Sequence, residues 1–211
     1  VKLKMNLPAG DEANDPAFFN PDDTTTYNSA TSVTIYDSLG DSHVQTYYFI
    51  KDSTPGNENQ WLAVTYVDDQ PLEDGALGGV NTVGATALGS PLAAMRLEFS
   101  TGGDFTAMYD SAGTSLLLGD APSVALGAGI LTNGSDPAQT ITTNFALEAT
   151  GSTIDEPTQY ASAFEVTSLE QDGLAVGRLT GIDIDTDGLV RATYSNGTSE
   201  PIIHVLQTIK A

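Results

Sequence analysis

Cysteine is absent from the 211 residues, so the chain has no disulfide frame, no thiolate metal site and no cysteine nucleophile. Such a chain suits either a reducing compartment or export without disulfide chemistry. Positive charge is scarce: 7 Lys and Arg face 28 Asp and Glu, for a net charge of −21. That balance argues against nucleic acid, because counterion-release binding needs clustered Lys and Arg, and against anionic membrane surfaces by the same sign argument. There are only two histidines, His43 and His204, and no His/Cys/carboxylate cluster of the kind that holds catalytic zinc. Long apolar runs are missing as well. The best stretch, residues 115–135, contains Asp120, Pro122 and four glycines, short of the roughly 18 uninterrupted apolar residues of a spanning helix. The chain opens on Val1 with Lys2 and Lys4 and then turns polar, without the apolar core of a signal peptide. The lack of an initiator Met points to a piece of a longer chain.

What is present is β-forming sequence throughout. Residues 32–36 alternate polar and apolar side chains, stop at the turn-rich residues 37–41, and resume at 44–50, which predicts a hairpin. Residues 61–67 predict the next strand, beyond Pro55 and Gly56. Further strands are expected at 95–100, 105–109, 140–147, 162–168, 181–185, 189–195 and 202–209. Short strands bounded by Gly, Pro, Asn and Asp imply an all-β protein of antiparallel sheets, a barrel or sandwich. The Gly-, Ala- and Pro-rich residues 68–94 and 119–139 read as long loops or weak strands.

Cation placement suggests the organisation. Between Met5 and Gly177 the only cations are Lys51 and Arg96. The expectation is a larger acidic β-barrel-like domain, residues 9–175, inserted into a smaller discontinuous β domain made of residues 1–8 and 176–211. Residues 1–7 would then pair with a C-terminal strand.

Several motifs carry possible chemistry. Asp183, Asp185, Asp187 and Gly188 match the opening of an EF-hand calcium loop, but the twelfth position is Tyr194 where a bidentate Glu is required, and the flanks are strand-like. They are read as a hairpin turn whose Asp side chains cap backbone N–H groups; no metal and no cofactor is expected. His43 follows Asp41 by two residues and reads as a polar hairpin residue, and His204 as a strand residue. No G-x-S-x-G elbow occurs, and no glycine-rich phosphate loop with its lysine. The carboxylate pairs Asp22/Asp23, Asp68/Asp69, Glu73/Asp74 and Asp155/Glu156 lie in loop-like surroundings and read as solvated surface, so no catalytic residues are assigned. Asn133 and Asn196 open formal glycosylation sequons; at Asn196 the Asn-Gly step reads as a type I′ hairpin turn. Tyr27, Tyr36, Tyr47, Tyr48, Phe49, Trp61 and Tyr66 form either a sugar-stacking platform or, more commonly, a β core with its rim.

Two stretches point to a family. Residues 27–43 read YNSATSVTIYDSLGDSH, preceded by Phe19-Asn20-Pro21, and resemble a segment of bacterial flagellar hook proteins. Residues 158–164 (TQYASAF), Gln171-Asp172-Gly173, residues 181–188 (GIDIDTDG) and residues 194–198 (YSNGT) resemble a second segment of the same family, in the same order. Asp41 stands where Asn is commoner, and Leu174 replaces the usual aromatic. Residues 68–157 carry no recognisable motif, and the family's helical chain ends are missing. The resemblance implies a structural, non-enzymatic subunit of the hook, a helical tube acting as a universal joint. Its implied partners are copies of itself, with hook cap and hook–filament junction proteins, outside the cell and exported without a cleaved signal peptide. Rival readings are a rod subunit of the same axial structure, a carbohydrate-binding or adhesin β domain, and a carboxylate hydrolase.

Overall fold

The computed structural model describes residues 1–72, 80–116, 123–145, 156–186 and 188–204. In chain order the strands are β1 (Lys2–Asn6), β2 (Ser29–Tyr36), β3 (Ser42–Lys51), β4 (Gln60–Val67), β5 (Gln70–Pro71), β6 (Thr82–Val83), β7 (Leu92–Ala93) and β8 (Met95–Phe99). They continue as β9 (Phe105–Tyr109), β10 (Ser115–Leu116), β11 (Ser123–Ala125), β12 (Thr140–Thr142), β13 (Glu165–Glu170), β14 (Leu179–Ile184), β15 (Leu189–Tyr194) and β16 (Ser199–His204). A 3-10 turn at Pro16–Phe18 and a single helical turn, α1 (Gly127–Ile130), complete the described elements. The protein is all-β, and every paired strand is antiparallel. The loop-like stretches 68–94 and 119–139 carry the short β5, β6, β7, β11 and α1; residues 73–79 and 119–122 lie outside the described residues, as do residues 205–209 of the last expected strand.

The centre is a seven-stranded sheet in the order β10-β9-β8-β4-β3-β2, with β5 also on β4. β4 (sequence QWLAVTYV) is buried from Trp61 to Val67, because both faces of this strand are covered. On one face Tyr47, Phe49, Trp61 and Ala63 pack with Leu3, Met5 and Leu7 from the N-terminal end and with Phe145. On the other, Ile50, Leu62, Val64 and Tyr66 pack with Phe19, Val83 and Leu92. A third cluster, Ile35, Val67, Leu126, Leu131 and Ile141, extends the first face under the β11–β12 ribbon. Alternate residues of β3 and β4 therefore feed opposite cores, which makes the body a sandwich.

One expected pairing is corrected. β1 runs against β13, from Lys2 opposite Glu170 to Asn6 opposite Glu165, and among the described residues it pairs with no strand at the C-terminal end. The cause is apolar burial: Leu3, Met5 and Leu7 are 0–1% exposed on the sheet face that holds Trp61, and that area cannot be buried against the thin C-terminal sheet. The β14-β15-β16 sheet is separate, joined to the body by residues 171–178, which have no regular secondary structure.

The hairpin turns share one chemistry. At residues 37–41, 100–104, 110–114, 185–189 and 194–198 the first N–H reaches the fifth carbonyl, and the fourth N–H returns to the first carbonyl. The fourth residue is glycine each time, with φ between +79 and +89°, as required by a type I turn closed by a left-handed residue. Asp37, Asp110 and Asp185 each accept a turn N–H on their own carboxylate, which accounts for part of the acid content. Asn196 is not among the residues with positive φ, so its turn is this type and not the expected type I′.

Candidate functional site: the motif residues as internal clamps

The hairpin motif of residues 27–43 builds a clamp. Asp37 holds the turn by accepting the Leu39 and Asp41 N–H groups at 2.9 Å. Its second oxygen accepts Asn133 Nδ2 at 2.6 Å and lies 3.3 Å from His43 Nε2. The other imidazole nitrogen, Nδ1, lies 2.6 Å from Asp68 Oδ2, while Asp68 Oδ1 accepts the Val44 N–H at 2.8 Å. Asn133 also donates to Asp41 Oδ2 at 2.8 Å, and Ser38 Oγ accepts the Asp136 N–H. Three stretches, residues 37–44, Asp68 and residues 133–136, are thus tied together around one buried imidazole, the last through Asp37.

Electrostatics follow from that geometry. Burial alone opposes charge on His43, but bonds to Asp68 and Asp37 and their negative charges outweigh it and raise its pKa above 6.5. Burial likewise opposes ionisation of Asp37, yet donors from Asn133, the Asp41 backbone and His43 hold its carboxyl well below the ordinary 3.8. For Asp68, burial is again overcome, by the Val44 N–H and by His43. The upstream motif residue Asn28 ties three strands of backbone: its Oδ1 accepts the Lys51 N–H, and its Nδ2 donates to the Glu12 carbonyl.

Residues 158–164 form a second clamp. Gln159 is 5% exposed; its Oε1 accepts Trp61 Nε1 at 3.1 Å and its N–H reaches the Gly103 carbonyl at 2.8 Å. Asn6 on β1 donates to the Ser162 hydroxyl and to the carbonyls of Ser162 and Ala163, and accepts from Thr158 Oγ1 and the Tyr160 N–H. The strap passes so close that a Cβ on Gly103 would lie 2.4 Å from the Gln159 carbonyl oxygen. Here φ of +89° and the lack of space both demand glycine.

The two central cations are engaged internally. Lys51 Nζ donates to the Ala9 and Asp11 carbonyls. Arg96 pairs with the buried Asp52 at 2.7 Å and also donates to Asn81 and Gln60. Burial of Asp52 is outweighed by its bonds to Thr54, Arg96 and Asn57, so its pKa is lowered.

The other sequence candidates separate. Asp185 opens the turn between β14 and β15, Asp183 accepts the neighbouring Ile184 N–H, and Asp187 lies outside the described residues. His204 ends β16. Trp61, Tyr47 and Phe49 are 0% exposed, so no stacking platform includes them; burial pushes Tyr66 up to about 12. Asp22 and Asp23 are exposed, and Glu73, Asp74 and Asp155 lie outside the described residues. Both sequon asparagines use their amide nitrogens internally, Asn133 on Asp37 and Asp41, Asn196 on the Ala175 carbonyl. Sequence reasoning missed Asn6, Asp68, Asn133 and Gln159 as functional partners. Their bonds span 25 to 157 residues, and only the Gln159 motif carried a signal.

Among the described residues the larger clefts, about 300 and 150 Å³, lie where Val1 and β12 meet residues 170–173. The acids lining them are Glu170 and Asp172, and no histidine joins them.

Comparison with known proteins adds a family. The profile of the flagellar basal body protein FlaE D2 domain matches residues 6–174. The flagellar hook protein FlgE of Treponema pallidum is 29% identical over 180 residues, covering 82% of this chain and 36% of that protein. FlgE of Escherichia coli is 27% identical over 196 residues, covering 93% of this chain and 38% of its own length. The crystal structure of Helicobacter pylori flagellar hook protein FlgE2 aligns over 83% of this chain and 31% of its own, at 17% identity and a TM-score of 0.43. The chain thus spans little more than a third of the length of the curated relatives it matches.

Proposed function

This chain belongs to the flagellar FlaE D2 domain family, and on that premise we propose that it is the β-rich outer part of a hook subunit. In this reading the parent protein polymerises with copies of itself into a bending tube that joins the rod to the filament. Hook cap and junction proteins are its further partners, and it acts outside the cell after export without a cleaved signal peptide. It performs no catalysis. Hook subunits stack through heterologous contacts, which generate open helical polymers when the rotation does not close.

The observation that carries the reading is where the motif residues go. Asp37, His43, Thr158, Gln159 and Tyr160 all hold parts of the chain together. This supports a part that transmits load. Neighbouring subunits of a bending tube must also slide, which polar, wet contacts permit better than an apolar lock. The acidic body, with Lys51 and Arg96 turned inward to carbonyls and to Asp52, supports that.

The proposed division is a self-contained body reaching residue 175 and a small unit of residues 176–211, which other parts of the parent chain complete. Residues 1–8 join the body through β1. The experiment is deletion of the parent gene and rescue by alleles. Loss of hooks in electron micrographs, restored by wild type and not by an allele lacking residues 9–175, is the expected result. Normal hooks in the deletion strain would overturn the reading.

A further inference from the structure

The turn between β4 and β5 is strained. Its two central residues are Asp68 and Asp69, at φ +46° and +63°, the only non-glycine residues with positive φ among those described. A two-residue hairpin of this kind normally uses Asn-Gly. Strain of this sort persists only where the surroundings over-determine it. Here the surroundings are the His43 ring on Asp68 Oδ2 and the Val44 N–H on Asp68 Oδ1.

The same imidazole supports the seat of the joint. A Cβ on Gly40 would lie 2.7 Å from the Val176 nitrogen and from its Cγ2, and one on Gly173 would lie 3.3 Å from the Tyr36 nitrogen. The segment leading to the C-terminal sheet therefore rests directly on the backbone of the 37–41 turn. From there it is tied onward, since Asn196 Nδ2 donates to the Ala175 carbonyl and the Ser195 N–H to the Arg178 carbonyl.

We propose that His43 is a latch: bridging Asp37 and Asp68, it holds the strained turn, the 131–136 loop and the seat of the joint in one arrangement, and losing its proton releases all three. The groups facing it are the Asp37 carboxylate from the end of β2 and the Asp68 carboxylate from the β4–β5 turn. Asp41 stands behind the Asn133 amide, which the loop contributes together with Asp136 near Ser38. With the imidazolium in place these carboxylates surround a cation. Without it they repel one another around a neutral ring, which can donate from one nitrogen only. The raised pKa of His43 puts the release on the alkaline side. The latch belongs to the single subunit and holds whatever the subunit assembles with.

The test is amide exchange on the unpolymerised subunit at pH 6 and pH 9, corrected for intrinsic rates. Protection at residues 68–70, 133–136 and 174–177 is expected to fall about tenfold at the higher pH, while β8 and β9 hold theirs. His43→Gln removes the charge at both pH values and is expected to show the low protection throughout. Asp69→Gly relaxes the turn without touching the ring's contacts and is expected to shrink the fall at residues 68–70. Equal protection at both pH values in wild type, a comparison that needs no variant to fold, would overturn the proposal. So would an undiminished pH-dependent fall in His43→Gln.

Discussion

The body and the C-terminal sheet are built from the same kinds of strand and turn, yet they stand differently. In the body, β3 and β4 feed cores on both faces, and Trp61, Tyr47, Phe49, Leu3 and Leu97 have no exposed surface. In the β14-β15-β16 sheet only Ala192 is buried among the described side chains, while Leu179, Ile182, Ile184 and Ile202 are 52–62% exposed. Ile182 and Ile184 share one face with Val190 and Ala192 opposite them. A sheet with one apolar face is half of a two-layer structure. The body thus contains its own second layer, whereas the small sheet has none among the described residues and, on the proposed reading, borrows one from the rest of the parent chain.

The body is most sensitive at Trp61, which has no exposed surface. Trp61→Ala deletes the centre of the first core and the bond to Gln159, and should cost about 3–5 kcal/mol, read as a lowered urea midpoint of the body's transition. Arg96→Met is next. It leaves the buried Asp52 without its cation and should cost about 3 kcal/mol, against nearly nothing for exposed Arg191→Met in the small sheet.

A pH profile sharpens the contrast. The carboxyls of Asp37, Asp68 and Asp52 are lowered, so their stabilisation is complete above 3.8 and is lost as pH falls through their folded values. His43 is raised, so its contribution is complete below 6.5 and is lost as pH rises through its folded value. The body's urea midpoint should therefore plateau between about pH 4 and 6.5 and decline on both sides. The smallest effect is expected from Ile182→Ala: under about 0.5 kcal/mol in the 211-residue chain, as for a solvent-facing position.

Much of the body was legible because its signals are local. The alternation at residues 32–36, the glycine-closed turn at 37–41 and the β4 run each occupy fewer than ten residues, and period-two patterning with turn residues fixes them. The partner of β1 was not legible, because an apolar alternating strand specifies a face to bury and not which neighbour pairs with it. His43 showed the same limit. Its hairpin position was readable, but Asp68 lies 25 residues on and Asn133 some 90, and only the tertiary fold places them around one ring. Trp61 left two readings open until burial decided between them.

The most direct test of the borrowed layer is amide exchange on the 211-residue chain alongside the full-length subunit. Protection at Ile182, Ile184, Val190 and Ala192 is expected to rise about tenfold or more in the full-length protein, while β3 and β4 remain unchanged. Equal, body-like protection of those four amides in the shorter chain would show that the small sheet needs no cover, and would contradict the borrowed layer.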